Sequence, residues 1–386
     1  MWMAVALVVV AGVVLVPLLL LYPFLPDLRQ WHRVRQVYNA RFGAFVLWFA
    51  YEPNVVLTRP EDIKQLLTDN DLNYTRDNSS FALFNRFIGQ SIINANGEEW
   101  RRQHRILYKA FSPDKLVGFR STFANRGERL AHSLLELSQA EGSVKLGHWL
   151  GKMTLSVIIE TAFGNTLRPD EQDLMAQEFI YMTNEFTNFA HQIPVLRHVL
   201  TDTQRLETGF ERLYGLVDQA VARRRSGEQD DGQIKLIDLI LEANGEEDDR
   251  SRLDDAAMRD NLLLLLAAGT ETTATTLGWL LYELAVNPKV FRPARFAPGG
   301  EVEQNPFQYF PFGKGRRYCL GKYFAIAELQ VVVSHLLRRL DMEYLGDRAT
   351  MRVVYKPPVL HASDDLPMRF FARRTSRRGS KLVEAV

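Results

Sequence analysis

Phe312-Gly313-Lys314-Gly315-Arg316-Arg317-Tyr318-Cys319-Leu320-Gly321 is followed at once by a helix-forming run, Lys322 to Arg339. It contains the one cysteine of the chain. An aromatic, two glycines, an arginine and a cysteine in this order are suited to presenting a sulfur to a metal in a fixed direction. The sulfur must be a thiolate, and water must be kept from it. Phe312 can cover it, while Gly313 and Gly315 allow a tight turn that brings backbone amides toward it. A helix beginning near Cys319 is expected to favour the thiolate through the positive end of its dipole. Arg317 is placed to pair with a carboxylate of whatever group carries the metal.

The stretch resembles the haem-binding loop of cytochrome P450, Phe-x-x-Gly-x-Arg-x-Cys-x-Gly, with Phe312, Gly315, Arg317, Cys319 and Gly321 at every specified position. The resemblance implies a mainly α fold with a small β region. It also implies a b-type haem with Cys319 as axial ligand, Phe312, Gly315 and Gly321 shaping the loop, and Arg317 on a propionate. Upstream, Ala268-Gly269-Thr270-Glu271-Thr272-Thr273 resembles the oxygen-activation segment of the family's central helix. In that segment Gly269 weakens the helix and leaves room for dioxygen. Thr272 bonds back to the Ala268 carbonyl or turns toward oxygen, and Glu271 relays protons. Trp100-Arg101-Arg102-Gln103-His104 resembles the family's Trp-x-x-x-Arg/His helix. Trp100 and His104 lie one turn apart on one face, where both can donate to propionates.

A formal net charge of +1 over 386 residues gives no electrostatic case for nucleic acid. A single cysteine excludes an intrachain disulfide and suits a reducing compartment. Met1 to Leu25 carries no charged residue and is long enough to span a bilayer, and Arg29, His32, Arg33 and Arg35 follow it. The charge asymmetry predicts a single-pass anchor over residues 1–26 with the bulk of the chain in the cytosol. With the resemblance, this places the protein at the endoplasmic reticulum membrane. Residues 27–372 then form the catalytic domain, and 373–386 a polar, basic tail expected to be disordered.

Periodicity predicts strands over 44–51 and 54–58 with Glu52-Pro53 at the turn, then a helix from Pro60 to Thr68. Further helices are expected at Val144–Ala162, Asp170–Phe189, Asp202–Arg225 and Leu253–Val286, the last capped by Asp254 and stopped by Pro288. Strands are expected at Met351–Tyr355 and Pro367–Ala372. Phe81, Phe84, Phe87 and Ile88 fall in the loop that usually covers the haem in the family, where they imply an apolar substrate or serve as plain core. Arg101, Arg102, Lys109, Lys314, Arg316 and Lys322 are candidates for a positive face that docks an acidic flavoprotein.

The pattern breaks after the central helix. The family places two helices and a small sheet there, with a Glu-x-x-Arg whose buried ion pairs hold the arginine of Pro-Glu-Arg-Phe. Here Asn287-Pro288 runs into Pro293-Ala294-Arg295-Phe296, and the intervening segment is absent near 287–291. Glu247-x-x-Arg250, Glu98-x-x-Arg101 and Glu99-x-x-Arg102 lie in the wrong places to replace it. Arg295 is therefore expected to be a buried arginine without its partners. The function expected from the resemblance is haem-thiolate monooxygenation of an apolar substrate by O2, with electrons from NADPH-cytochrome P450 reductase. The alternatives are a haem-thiolate isomerase or dehydratase, which the Glu271-Thr272 pair argues against, and a haem-free membrane-tethered remnant, which the omission favours.

Overall fold

The computed structural model describes residues 43–49, 52–76, 82–186, 201–227, 232–248, 250–287, 293–300, 305–356 and 359–373. The apolar run 1–26, its basic flank, Phe81 and the stretch 288–292 lie outside them. Among the described residues no helix is long and apolar enough to cross a membrane. The chain divides into two units, one with Pro298–Arg317 joined to the residues up to Tyr74, the other with Thr75–Ala297 and the chain from Tyr318 onward.

In the first unit β1 (Ala44–Phe49) and β2 (Glu52–Leu57) pair antiparallel, with Phe49 opposite Glu52. Glu52 and Pro53 therefore belong to β2 rather than to a turn, with Pro53 in register opposite Trp48. A two-stranded ribbon has only edges, so the missing N–H of a proline is tolerated. Helix α1 (Pro60–Lys64) starts on Pro60, whose absent N–H is no loss at a first turn. It widens over Gln65–Asp69. Gly315 approaches this segment so closely that a Cβ would stand 1.9 Å from the Leu67 carbonyl oxygen. Its φ of +70° also lies in the left-handed region, so only glycine fits there.

The second unit is built of helices with a small β region. Short α2 (Ala82–Ile88) leads to α3 (Gly97–Ala110), α4 (Arg120–Glu141), the two-residue strand β3 (Val144–Lys145) and α5 (Leu146–Ala162). Next come α6 (Pro169–Phe186), α7 (Thr203–Arg225), α8 (Leu236–Gly245) and the long central α9 (Asp255–Val286). Finally α10 (Lys322–Arg339) is followed by β4 (Leu340–Tyr344), β5 (Val353–Lys356), β6 (Val359–Ala362) and β7 (Pro367–Ala372). Strands β3, β7 and β4 form one antiparallel sheet in that order, and β5 pairs with β6.

The helix limits follow local chemistry. Asp254 caps α9 by accepting from the Ala257 N–H at 2.8 Å, and Asp202 caps α7 through the Arg205 N–H at 2.9 Å. Gly142, at φ +75°, ends α4 in the left-handed turn typical of a helix C-terminus. α9 packs along α5, and α10 along α4. Leu262, Leu263, Leu266, Leu277 and Leu281 are fully buried, as expected of a helix through the centre of a fold. Two polar residues beside that leucine run escaped the sequence reading. Asp260 accepts the Gln90 N–H at 2.8 Å, and Asn261 accepts the Ile92 N–H at 3.0 Å while donating to Gln103 Oε1 at 2.9 Å. They tie the loop after α2 to the central helix. Phe87 and Ile88 are wholly buried core residues, and Phe84 meets Phe186 edge-on at 5.5 Å.

Candidate active site

α9 is buried almost all round, yet Ala268, Thr272 and Thr276 are exposed in a row, each one turn from the next. Their flanks, Leu266, Ala267, Thr270, Thr273, Ala274 and Leu277, are buried. Ala268, Thr272 and Thr276 thus form an exposed stripe of small side chains on an otherwise buried helix. Thr272 Oγ1 donates to the Ala268 carbonyl at 2.6 Å, and Thr276 Oγ1 to the Thr272 carbonyl at 2.8 Å. These back-bonds commit both hydroxyl hydrogens to carbonyls of the helix and leave the oxygens free to accept.

Gly269 has a different role from the one expected. It does not line that stripe: a Cβ there would meet Ile158 Cδ1 of α5 at 3.0 Å. Its lack of a side chain sets the approach of two helices. The residue that leaves room on the open face is Ala268.

Cys319 immediately precedes α10, for which Gly321 is the cap residue. Its thiol is exposed, yet desolvation by the surrounding protein raises its pKa, with the Gly321 N–H pulling weakly the other way. Desolvation is the larger influence, so the thiol by itself is held above the ordinary thiol range. A bound metal cation would favour the thiolate instead.

Trp100 and His104 meet at 4.8 Å between ring centroids with the rings tilted by 38°, and His104 stacks on Tyr108 at 5.6 Å. Trp100 is buried, His104 half-buried and Tyr108 exposed. Burial, and then a hydrogen bond with Tyr108, raise the pKa of the Tyr318 phenol, next to Cys319. Tyr108 thereby ties α3 to the cysteine segment. The i, i+4, i+8 spacing of Trp100, His104 and Tyr108 was the available signal, and it was read only as far as His104.

Phe312, Gly315 and Arg317 belong to the first unit. There Gly313 and Gly315 both take positive φ, and Gly315–Arg317 form a 3-10 turn. Arg316 pairs with Asp71. The proposed positive face is largely neutralised. Arg101 pairs with Glu98, Arg102 with Glu99 at 2.7 Å, and Lys109 with Glu246 and Glu247 at 3.1 and 3.0 Å.

The family model described as Cytochrome P450 matches residues 11–290 and 286–360. The chain belongs to the cytochrome P450 family. Among curated relatives, Cytochrome P450 CYP72A613 of Trigonella foenum-graecum is 23% identical over 77% of this chain and 75% of that protein. The 11-oxo-beta-amyrin 30-oxidase of Medicago truncatula is 23% identical over the same shares. Among solved structures, a cytochrome P450DA haem domain superposes with a TM-score of 0.73 at 18% identity, covering 92% of this chain and 95% of that one. The cytochrome P450 fold, mainly α with a small β region, is therefore the fold of this chain, and the family makes it a monooxygenase.

The family match breaks into two stretches at 286–290, where α9 ends. The two relatives align over 398 positions, more than the 386 residues this chain has, so they carry residues without counterpart here. Beyond the break, Arg295 is exposed, with its guanidinium 5.7 Å from the Phe296 ring. The expected buried, unpartnered arginine is not formed, because in the absence of its acidic partners the side chain remains in water.

Membership implies a haem iron. The residues present fit it: an accessible cysteine sulfur, a stripe of small side chains on the central helix, and N–H donors on α3.

Proposed function

We propose that this chain is a haem-thiolate monooxygenase that inserts one oxygen atom of O2 into an apolar organic substrate and releases the other as water. The Ala268-Thr272-Thr276 stripe, open on an otherwise buried helix, carries the reading. In it Cys319 is the axial ligand, Thr272 and Glu271 manage protons, and Trp100, His104 and Arg317 hold the propionates. Phe312, Gly315 and Gly321 shape the ligand loop. Bound haem supplies the site at which O2 is reduced and the substrate oxidised. Two electrons from NADPH, passed on by a flavoprotein reductase, and two protons balance the reaction. Thr272 Oγ1 lies on the exposed stripe of α9, and Glu271 is the carboxylate through which it is resupplied with protons. Residues 1–26 anchor the chain in the endoplasmic reticulum membrane, and 27–372 form the cytosolic catalytic domain.

Reduced protein exposed to carbon monoxide should show the red-shifted Soret band of a thiolate complex, and Cys319→Ala should abolish it. A spectrum typical of histidine ligation in the wild type would overturn the assignment.

A second reading has its own support in the break at 286–290: a remnant that loads haem poorly. A chain with a family-like segment restored between Pro288 and Phe291 should then bind more haem per protein than the 386-residue form. Stoichiometric haem and coupled turnover in the present chain would remove this reading.

A further inference from the structure

Glu271 lies half-buried on α9, immediately before Thr272. Nothing in its neighbourhood in sequence suggests what holds its carboxylate. The fold brings His361 of β6 to it, with His361 Nε2 3.6 Å from Glu271 Oε2 and side-chain exposures of 27% and 35%. The approach is built rather than incidental. One residue before His361, the Leu360 carbonyl accepts from Trp279 Nε1 of α9 at 2.8 Å. Glu271 and Trp279 are eight positions apart on one helix, a little over two turns, so both can reach the same strand. β5 backs the strand, with Val354 in register opposite His361.

The structure assigns His361 as the positioning residue of Glu271: its imidazolium holds the carboxylate ionised and turned toward β6, and its neutral form releases it. This deepens the proposed function and rests on Glu271 being the proton-managing carboxylate. It makes proton supply to the Thr272 hydroxyl depend on a histidine contributed by the C-terminal hairpin.

Several charged groups on the surrounding elements have partners of their own. On the β5–β6 side, Arg352 donates to the carbonyls of Ala349 and Thr350, both at 2.9 Å, and Asp364 accepts the Tyr344 hydroxyl at 2.5 Å. On α9, Glu283 accepts from Asn287 at 2.7 Å. On α5, Glu160 pairs with Arg126 at 2.6 Å, and Lys152 lies over the Trp149 ring at 5.0 Å. On β4, Asp341 pairs with Arg373 at 3.3 Å, and Glu343 lies in register with Arg369 of β7.

The test is a pH titration of the His361 ring signal in full-length protein carrying 13C-labelled histidine. The chain has eight histidines, and His361→Asn identifies the resonance. Replacing the carboxylate by Glu271→Gln should weaken proton binding at His361 about tenfold, as expected for losing an opposite charge within 4–6 Å. Should that variant fail to fold, Glu271→Asp should weaken it by a smaller factor. In haem-loaded enzyme, His361→Lys should keep the wild-type share of reducing equivalents reaching product, and His361→Asn should shift its pH profile. A His361 titration unmoved by Glu271→Gln overturns the assignment. An unchanged product share in Glu271→Gln, with the histidine titration moved, would instead refute the catalytic role of Glu271 and leave the pairing intact.

Discussion

Glu171 and Glu328 are buried almost equally, at 5% and 1% exposure, yet they behave in opposite ways. Glu171 sits in the first turn of α6, where Arg223 of α7 meets it at 2.6 and 2.8 Å and Arg168 at 2.8 Å. The hydrogen bonds from Arg223 pull its pKa down to about 2 against the cost of burial. Glu328 lies in α10 between Phe324 and Val332, on the stripe that faces α4. Among the described residues its Oε1 has no hydrogen-bond partner, and desolvation pushes its pKa up to about 8. Between α6 and α7 the buried carboxylate meets a guanidinium. On α10 the buried carboxyl has no such partner among the described residues, and burial favours its protonated form. Burial is the same in both places, and the presence of a partner decides the charge state.

Breaking the paired side should have the largest effect. Arg223→Ala leaves Glu171 with only the more exposed Arg168 and should cost about 3 kcal/mol in denaturant unfolding. A value below about 0.5 kcal/mol would mean that the α6–α7 pairing contributes nothing.

The pH dependence separates the two glutamates by sign. The folded-state pKa of Glu328 is raised from 4.5 to about 8, so the folded state holds a proton that the unfolded state has lost. Its contribution is fully present below pH 4.5 and is lost on raising the pH toward 8, by about 1.4 kcal/mol per unit. Glu171, lowered from 4.5 to about 2, gives stability that is present above 4.5 and lost as the pH falls toward 2. Urea midpoints measured across this range should therefore fall on both sides of about pH 4.5. Glu328→Gln should flatten the alkaline limb alone and gain about 1–3 kcal/mol at pH 8. An unaltered alkaline limb in that variant would show that Glu328 has found a partner in solution.

Exposed pairs set the lower bound. Glu98→Ala, which frees Arg101 on the surface of α3, should change stability by no more than about 0.5 kcal/mol, and that little should vanish in high salt.

Much was legible beforehand because it rests on local chemistry. Apolar periodicity and the Asp254 cap located α9 to within two residues, and the run after Cys319 became α10 over Lys322–Arg339 as expected. The P450 motif around Cys319 sufficed to indicate the family. Strands β4 and β6 were missed, being short and alternating only weakly, so that cross-strand partners rather than propensity define them. The role of Gly269 was misjudged for a related reason. A glycine's use depends on which side of the helix the neighbour stands, and Ile158 belongs to another element.

Sequence alone determined the residue types with reach and reactivity: the thiol of Cys319, the Glu271-Thr272 pair, the small residues along α9, and the break before Arg295. Each is written in consecutive residues or in one helical period. Tertiary structure decided what each of them faces. It put Ile158 against Gly269, His361 beside Glu271 and Tyr108 against Tyr318, left Arg295 exposed, and raised the pKa of Glu328 by burying it. The reason is that desolvation and charge pairing act through space over a few ångströms, and spacing along the chain does not specify those distances.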